Sequence, residues 1–452
     1  MRTKLKQITS VFLAVIMVFG IFAIVPFTAS AATSGDFEYK VLNNGTAEIT
    51  AYKGNATELT IPSELGGCEV TSIGKNAFKN NTSIKNLTIP DSVKKIGDSA
   101  FSMCKLTSLT LGDGVTTIEL QAFMGCPLTS ITFGNNLRVI GDKTFVACKL
   151  TNIAIPDGVI RIGMNAFQNC ANLASVTIPD SVTSIGGSAF NKTKLYADQK
   201  DSVVYVDGWV CGYNGKMPEN TSLVFKDGTR GIADSAFLAS NLESVTIPDS
   251  VTNTGVAVFN KCKSLKSVTI GNGLQSIDNE TFLDCTSLTD VTIGNSVTSI
   301  GDSAFYNCSS LASITIPDGV TEIGDKAFSI CSSLESVTIP KSVTSIKSSA
   351  FNNHSEALTI YGCTGSAAET FATEQGIAFV NIVDVPTPTL GDVNGDGKIS
   401  IDDVTDIQKY IANMIDFTEE QVTLADVDKN GKVSIDDATL IQKHLAGLAV
   451  IE

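Results

Sequence analysis

Phenylalanine recurs along this chain at positions 78, 101, 123, 145, 167 and 190, and again at 237, 259, 282, 305, 328 and 351. Within each series the spacing is 22 or 23 residues; 47 separate the two series, so one unit carries about 25 extra residues. A period of roughly 20–50 residues restricts the fold to a stack of like units, because one such unit cannot bury an apolar face alone.

The unit from Leu311 to Phe328 reads LASITIPDGVTEIGDKAF. Alternation through Ser313, Ile314, Thr315 and Ile316 is the period-two pattern of a half-buried strand. Pro317 lacks an N–H and ends the ladder. Val320 and Ile323 begin a second inward segment, Gly324 marks the turn after it, and Ala327 and Phe328 plug the interior. The outward row is Thr88, Thr110, Thr132, Thr177, Thr246, Thr269, Thr292, Thr315, Thr338 and Thr359, often with serine two places earlier, as at Ser108, Ser244 and Ser313. Threonine is a good strand residue, which accounts for the row. The alternative is an ordered hydroxyl array for ice or a crystalline polymer. This face offers no aromatic platform for sugars.

Eight of the eleven cysteines (Cys104, Cys126, Cys148, Cys170, Cys262, Cys285, Cys308 and Cys331) fall three residues after a repeated phenylalanine. Parallel neighbours in a stack lie about 4.7–4.9 Å apart, whereas a disulfide needs Cβ atoms converging to about 3.8 Å. Free thiols are therefore expected, with cysteine serving as a small buried hydrophobe, and a secreting cell that lives without oxygen.

Segments such as Ile178 to Phe190 and the run from Ile247 resemble the IPDSVTSIGDSAF ending of BspA-like leucine-rich repeats. The resemblance covers about Thr57 to Ile382. It implies a leucine-rich-repeat horseshoe with a parallel β-sheet, and a surface for adhesion or protein recognition. Both ends look capped. Phe37 to Leu42 and Ala47 to Tyr52 flank Asn44-Gly45, a strong hairpin signal, and a helix opening at Gly365 and ending near Gly376 leads to a strand through Phe379 and Ile382. The insertion reads as a hairpin, Val203 to Val206 and Trp209 to Tyr213 about Asp207-Gly208. Its tryptophan, unique in the chain, is expected to pack on the neighbouring coil; contact with a ligand is the alternative.

The formal charge is −15, which argues against nucleic acid. From Leu390 onward thirteen Asp and Glu stand against five Lys, a local net of −8 that suggests cation binding. At the other end Arg2, Lys4 and Lys6 precede an apolar stretch from Ile8 to Val25, and Ala29-Ser30-Ala31 fits a cleavage site. This predicts export, a mature chain starting near Ala32 and no later membrane span, with an uncleaved anchor as the other reading.

After the stiff linker Val385-Pro-Thr-Pro-Thr389 come two twelve-residue segments, Asp392 to Asp403 and Asp426 to Asp437. Both have the spacing of calcium loops, with side-chain oxygens at positions 1, 3, 5 and 12. These are Asp392, Asn394, Asp396 and Asp403 in the first loop, and Asp426, Asp428, Asn430 and Asp437 in the second. Lys398 and Lys432 would supply backbone carbonyls at position 7, Ser400 and Ser434 stand at position 9, and Gly397 and Gly431 allow the sharp turn. Two Ca2+ ions are expected, since a hard cation suits an all-oxygen donor set. Position 12 is Asp rather than Glu, and the linker cannot be a helix, so each loop is expected to have only a following helix, Val404 to Ile411 and Ala438 to Leu445.

This pattern, from Gly391 to Leu448, resembles a type I dockerin. The resemblance implies a small all-α calcium-binding module of two loop–helix motifs that binds a cohesin domain of a scaffolding protein. It also implies that Ile401, Asp402, Gln408 and Lys409, with Ile435, Asp436, Gln442 and Lys443, choose the cohesin. The two sets are identical, so docking in either of two orientations is expected.

The expected organisation is a signal peptide (1–31), a capping hairpin (32–56), a repeat solenoid (57–382, with the hairpin insertion at about 195–220), a Pro/Thr linker (383–390) and a dockerin (391–452). Two histidines, no G-x-S-x-G, and no cleft holding two carboxylates about 5–10 Å apart leave nowhere to house catalysis. The expected function is a non-catalytic, secreted component of a polysaccharide-degrading complex, its solenoid binding a protein, a cell surface or a polysaccharide. A glycoside hydrolase subunit and a free cell-surface adhesin are the alternatives.

Overall fold

The computed structural model describes residues 31–382, 389–395 and 398–451. The expected signal segment, most of the linker, Asp396 and Gly397 lie outside the described residues. The repeats form a parallel β-solenoid of about fifteen turns. Contacts divide the chain into two compact units, one running to Leu311 with Gly324–Ser333 and Ser349–His354, the other made of Ala312–Ile323, Leu334–Ser348 and the chain from Ser355.

In the first unit each coil contributes a first strand, such as Asn86–Ile89, Ser108–Leu111 and Ser130–Thr132, and a two-residue second strand, such as Lys95–Ile96, Thr117–Ile118 and Val139–Ile140. Like strands pair in parallel one coil apart, as in Thr88↔Thr110↔Thr132 and Ile96↔Ile118↔Ile140. The register superposes inward residues, so Leu87, Leu109, Ile96, Ile118 and Ile140 are all buried. The phenylalanines stack in near-parallel pairs through the coil interiors. Ring centroids are 4.6–5.7 Å apart from Phe78 to Phe190 and 5.2–5.6 Å apart from Phe237 to Phe351.

The third side of the coil is built of left-handed turns, which the period alone did not reveal. The residues two before and two after phenylalanine take positive φ, as in Asn76 (59°) and Asn80 (63°), Ser99 (56°) and Met103 (62°), and Lys143 (57°) and Ala147 (60°). For a non-glycine residue this costs about 1–2 kcal/mol. Ladder hydrogen bonds to the next coil offset it: Asn76 N–H donates to Asp98 O (3.0 Å), Phe78 to Ala100 O (2.8 Å) and Asn80 to Ser102 O (2.9 Å). Asparagine, which tolerates this region best after glycine, accordingly recurs here at Asn165, Asn169, Asn307 and Asn353.

The N-terminal cap is a three-stranded meander rather than a bare hairpin: Ala31–Ser34 pairs antiparallel with Phe37–Val41, and that strand with Ala47–Tyr52. Ala47–Tyr52 then pairs in parallel with Cys68–Ile73 and starts the second-strand ladder. Ser202–Val206 and Trp209–Asn214 form the insertion hairpin, preceded by the short helix α1 (Lys194–Ala197). The second hairpin strand is itself a rung, pairing in parallel with Gly231–Ile232. Trp209 is buried at 1% exposure, so it lies against the coil and the ligand-contact alternative is ruled out. Its ring lies against Gly231, where a Cβ would come within 2.6 Å of Cζ3. Arg230 clamps the hairpin turn to the preceding coil. Its Nη2 donates to Ile178 O and Asp207 O, both at 2.8 Å, and its Nη1 pairs with Asp180.

In the second unit Ser313–Thr315, Ser336–Thr338, Thr359–Gly362 and Ala378–Asn381 form one parallel sheet. Its register corrects the outward row. Thr359 stands opposite Ser336, and Tyr361 takes the rung beside Thr338 and is followed by Val380, so the row passes from threonine to an aromatic and then an aliphatic side chain. Helix α2 (Ala367–Gln375) lies between the last two of these strands, N-capped by Ser366 and closed by Gly376 at φ 68°, and it buries Ala368, Phe371 and Ala372.

Candidate functional site

The C-terminal module has a small core of Val393, Val404, Ile407, Ala425, Val427, Ala438 and Ile441. Three helices supply most of it: α3 (Ile401–Ile411), α4 (Glu419–Ala425) and α5 (Ile435–Leu445). Both loop-following helices start three residues earlier than expected, because Ser400 and Ser434 act as N-caps and Asp403 and Asp437 close capping boxes inside the first turn. Helix α4 corrects the expectation that each loop has only a following helix. It enters the second loop directly, with Asp426 as its C-cap. Its signal was present in the sequence as Thr418-x-x-Gln421: Gln421 N–H donates to Thr418 Oγ1 (3.2 Å) and Thr418 N–H to Gln421 Oε1 (3.1 Å). Gln421 Nε2 also donates to Val393 O (3.3 Å), tying α4 to the first loop. The linker between α3 and α4 is held by Tyr410 stacked on Phe417 at 4.3 Å.

The position-12 aspartates organise both loops. Asp403 is fully buried; its Oδ1 accepts from the N–H groups of Val393 (2.8 Å) and Asn394 (3.0 Å), and its Oδ2 from Ser400 N–H (2.8 Å) and Oγ (3.2 Å). Asp437 repeats this, accepting from Asp428 N–H (3.1 Å), Ser434 N–H (2.8 Å) and Ser434 Oγ (3.2 Å). Asp426 accepts from Asn430 N–H (3.0 Å) and Gly431 N–H (2.8 Å), and Asn430 Oδ1 from Lys432 N–H (3.0 Å). The carboxylates of Asp426, Asp428 and Asp437 converge, each offering an oxygen within 4.8 Å of the others. Three anions held this close in an oxygen-only cage suit a hard divalent cation. In the first loop Asp392 is fully buried, while Asn394 and Lys398 are exposed. The serine hydroxyls at position 9 are turned to the position-12 carboxylates and the helix N-termini. Position 4, which the sequence pattern did not single out, is left-handed in both loops, at Gly395 (72°) and Lys429 (58°).

The eight residues expected to select a partner all lie on α3 and α5. Ile401 and Ile435 are exposed to 56% and 55%, and Asp402, Gln408, Asp436, Gln442 and Lys443 are exposed. Lys409 is half-buried in an ion pair with Asp406 (2.9 Å). In the second copy Leu440 stands where the first has Asp406, so the two faces differ at this point.

A family model described as the BspA type leucine rich repeat region matches in six copies over residues 50–126, 94–198 and 221–359. The chain belongs to that family. The type I dockerin domain model matches residues 390–446, so this BspA-type chain ends in a dockerin, a kind of domain that binds calcium and docks onto a cohesin scaffold. No curated protein matches the chain. Among solved structures it is similar to a leucine-rich repeat protein from Bacteroides ovatus, at 24% identity over 78% of this chain and 100% of that one, with a TM-score of 0.33. It is also similar to a leucine rich cell surface protein from Faecalibacterium prausnitzii, at 28% identity over 76% and 98%, with a TM-score of 0.33. A third match is the pneumococcal vaccine antigen PcpA, at 17% identity over 78% and 99%, with a TM-score of 0.38. Among the described residues no helix is long and apolar enough to cross a membrane.

Proposed function

We propose that this BspA-type protein is a secreted, non-catalytic component of a polysaccharide-degrading complex. Its dockerin holds two calcium ions and docks onto a cohesin of the scaffold, at the cell surface or free of it, while the solenoid presents a surface for a protein, a cell or a polysaccharide. The convergence of Asp426, Asp428 and Asp437 carries the reading. Bound calcium would neutralise carboxylates that otherwise repel one another, which links metal binding to folding of the small core. The loops then fix the starts of α3 and α5, where Ile401 and Ile435 project with the flanking Asp402 and Asp436. Asp396, at position 5 of the first loop, completes that loop's proposed donor set.

The test is a titration of the full chain against a panel of type I cohesins, with calcium and then with EDTA. Binding is expected only with calcium, and no cohesin binding in calcium would refute the docking. Changing Ile401, Asp402, Gln408 and Lys409 together should weaken binding by only about twofold, the loss of one of two orientations (~0.4 kcal/mol). The same holds for Ile435, Asp436, Gln442 and Lys443, whereas changing both sets abolishes binding. A complete loss from one set would refute the two orientations and leave the docking standing. Incubation of the full chain with plant polysaccharides should release no sugar; release would favour the hydrolase alternative.

A further inference from the structure

The slot three residues after each stacked phenylalanine is a hydrogen-bonding slot as well as an apolar one. Each thiol donates to the carbonyl of the phenylalanine one coil back. Cys104 Sγ lies 2.9 Å from Phe78 O, Cys126 3.1 Å from Phe101 O, Cys148 3.7 Å from Phe123 O and Cys170 3.1 Å from Phe145 O. The second block repeats this: Cys262 to Phe237 O at 3.1 Å, Cys285 to Phe259 O at 3.2 Å, Cys308 to Phe282 O at 3.3 Å and Cys331 to Phe305 O at 3.1 Å. The same carbonyls also receive a backbone N–H from their own coil, for example Phe101 O from Cys104 N (3.2 Å) and Phe282 O from Cys285 N (3.2 Å). The thiols thus form two four-rung spines, all buried at 2% exposure or less and all free.

This geometry tolerates the thiol and nothing more oxidised. Adjacent rungs of a parallel ladder stay about 4.7–4.9 Å apart with Cβ vectors aligned. A disulfide needs Cβ atoms about 3.8 Å apart and converging. Joining two rungs would pull adjacent coils together by about 1 Å among fully buried side chains, and it would remove two S–H donors. A sulfenic acid would add a polar oxygen to a sulfur that is at most 2% exposed. In the closed coil the thiols are buried, and most of them are also held in the protonated form. Burial pushes Cys285 and Cys308 well above the ordinary thiol range and Cys331 up to about 12, and Cys148 is raised by its hydrogen bond with Cys170 and then by burial, whereas the hydrogen bond from Cys126 lowers Cys104; the thiolate is the reactive form.

We infer that the solenoid is a redox-conditional fold, in which closure of the coils and oxidation of either thiol spine exclude each other. An open chain meeting hydrogen peroxide loses two S–H bonds and gains one S–S bond between neighbouring rungs. The sulfurs are oxidised, the peroxide is reduced, and two waters leave for each disulfide formed. A chain oxidised in this way cannot close, whereas a chain already closed resists the same oxidant.

The test uses the full chain and hydrogen peroxide. Native protein exposed to peroxide should keep its circular dichroism, and all eight spine thiols should still be alkylated once it is denatured. Protein unfolded in guanidinium, oxidised with stoichiometric peroxide and then diluted should not regain its strand signal, and dithiothreitol should restore it. A variant with serine at all eight spine positions keeps an O–H donor in each slot and should refold after the same oxidation, although Cys68, Cys211 and Cys363 remain. The inference is overturned if wild-type protein with spine disulfides mapped by mass spectrometry regains its native strand signal, or if reduction fails to recover it. It is equally overturned if the serine variant folds when untreated but is blocked by the oxidant. If that variant fails to fold at all, the dithiothreitol reversal and the disulfide map decide.

Discussion

Replacing Asp437 with alanine should unfold the dockerin even in saturating calcium while leaving the solenoid intact. The side chain is fully buried and accepts three hydrogen bonds, from Asp428 N–H, Ser434 N–H and Ser434 Oγ. At the lower end of about 1.5–3 kcal/mol for each bond to a charged acceptor, the loss comes to about 4–5 kcal/mol. A module of some sixty residues has only about 3–9 kcal/mol of stability to lose. With about 4–8 °C of melting temperature per kcal/mol in a domain of this size, the drop is about 20 °C or more. Asp428→Ala separates this framework role from metal ligation. Asp428 is exposed, and among the described residues its carboxylate accepts hydrogen bonds from the neighbouring Asn430. Thermal melts followed at 222 nm over a calcium series should show Asp428→Ala recovering at high calcium and Asp437→Ala failing to recover. An Asp437→Ala melt within about 4 °C of wild type at saturating calcium, less than 1 kcal/mol, would refute the reasoning.

Phe145→Ala should cost about 3–5 kcal/mol in urea unfolding of the solenoid, since the ring is fully buried between Phe123 (5.7 Å) and Phe167 (5.4 Å) with Phe133 at its edge. Gly231→Ala should destabilise by about 1–3 kcal/mol through overpacking against Trp209, and Trp209→Leu in the same chain should recover part of the loss. Asp278 stands where most coils have glycine, and burial raises its pKa, although Thr254 and Ser276 hydroxyls donate to it. The folded state therefore holds its proton more tightly than the unfolded chain, and solenoid stability should fall as pH rises from about 4 through the raised value. Asp278→Asn should be the more stable form at neutral pH, and denaturant midpoints across pH should show the two converging in acid.

The repeat was legible because packing is periodic: each phenylalanine must meet the next, so their spacing reports the coil directly. The calcium loops were legible for a related reason, as ligands to one ion must recur at fixed positions in a short segment. The left-handed turns were not, because their positions hold Asn, Ser, Lys, Ala and Met alike. What selects that backbone is the hydrogen bond to the coil above, and a one-dimensional pattern does not show it. Thr359 was placed on the threonine row by residue type, whereas the register gives that rung to Tyr361. Helix α4 carries its capping box in the sequence, at Thr418 and Gln421.

By itself the chain of residues determined the solenoid, its unit length, the periodic cysteine slots and the acidic loops, which follow from short-range spacing and the need to bury one apolar face. Only the tertiary structure decided that the insertion hairpin supplies a rung with Trp209 inside it, that Asp403 and Asp437 frame their loops as well as stand among the candidate ligands, and that each spine thiol bonds to the coil before it. The first and last of those facts depend on which atoms meet across 22 residues or more and the loop frame on contacts three to ten residues apart, and side-chain identity constrains such meetings only after the backbone path is set.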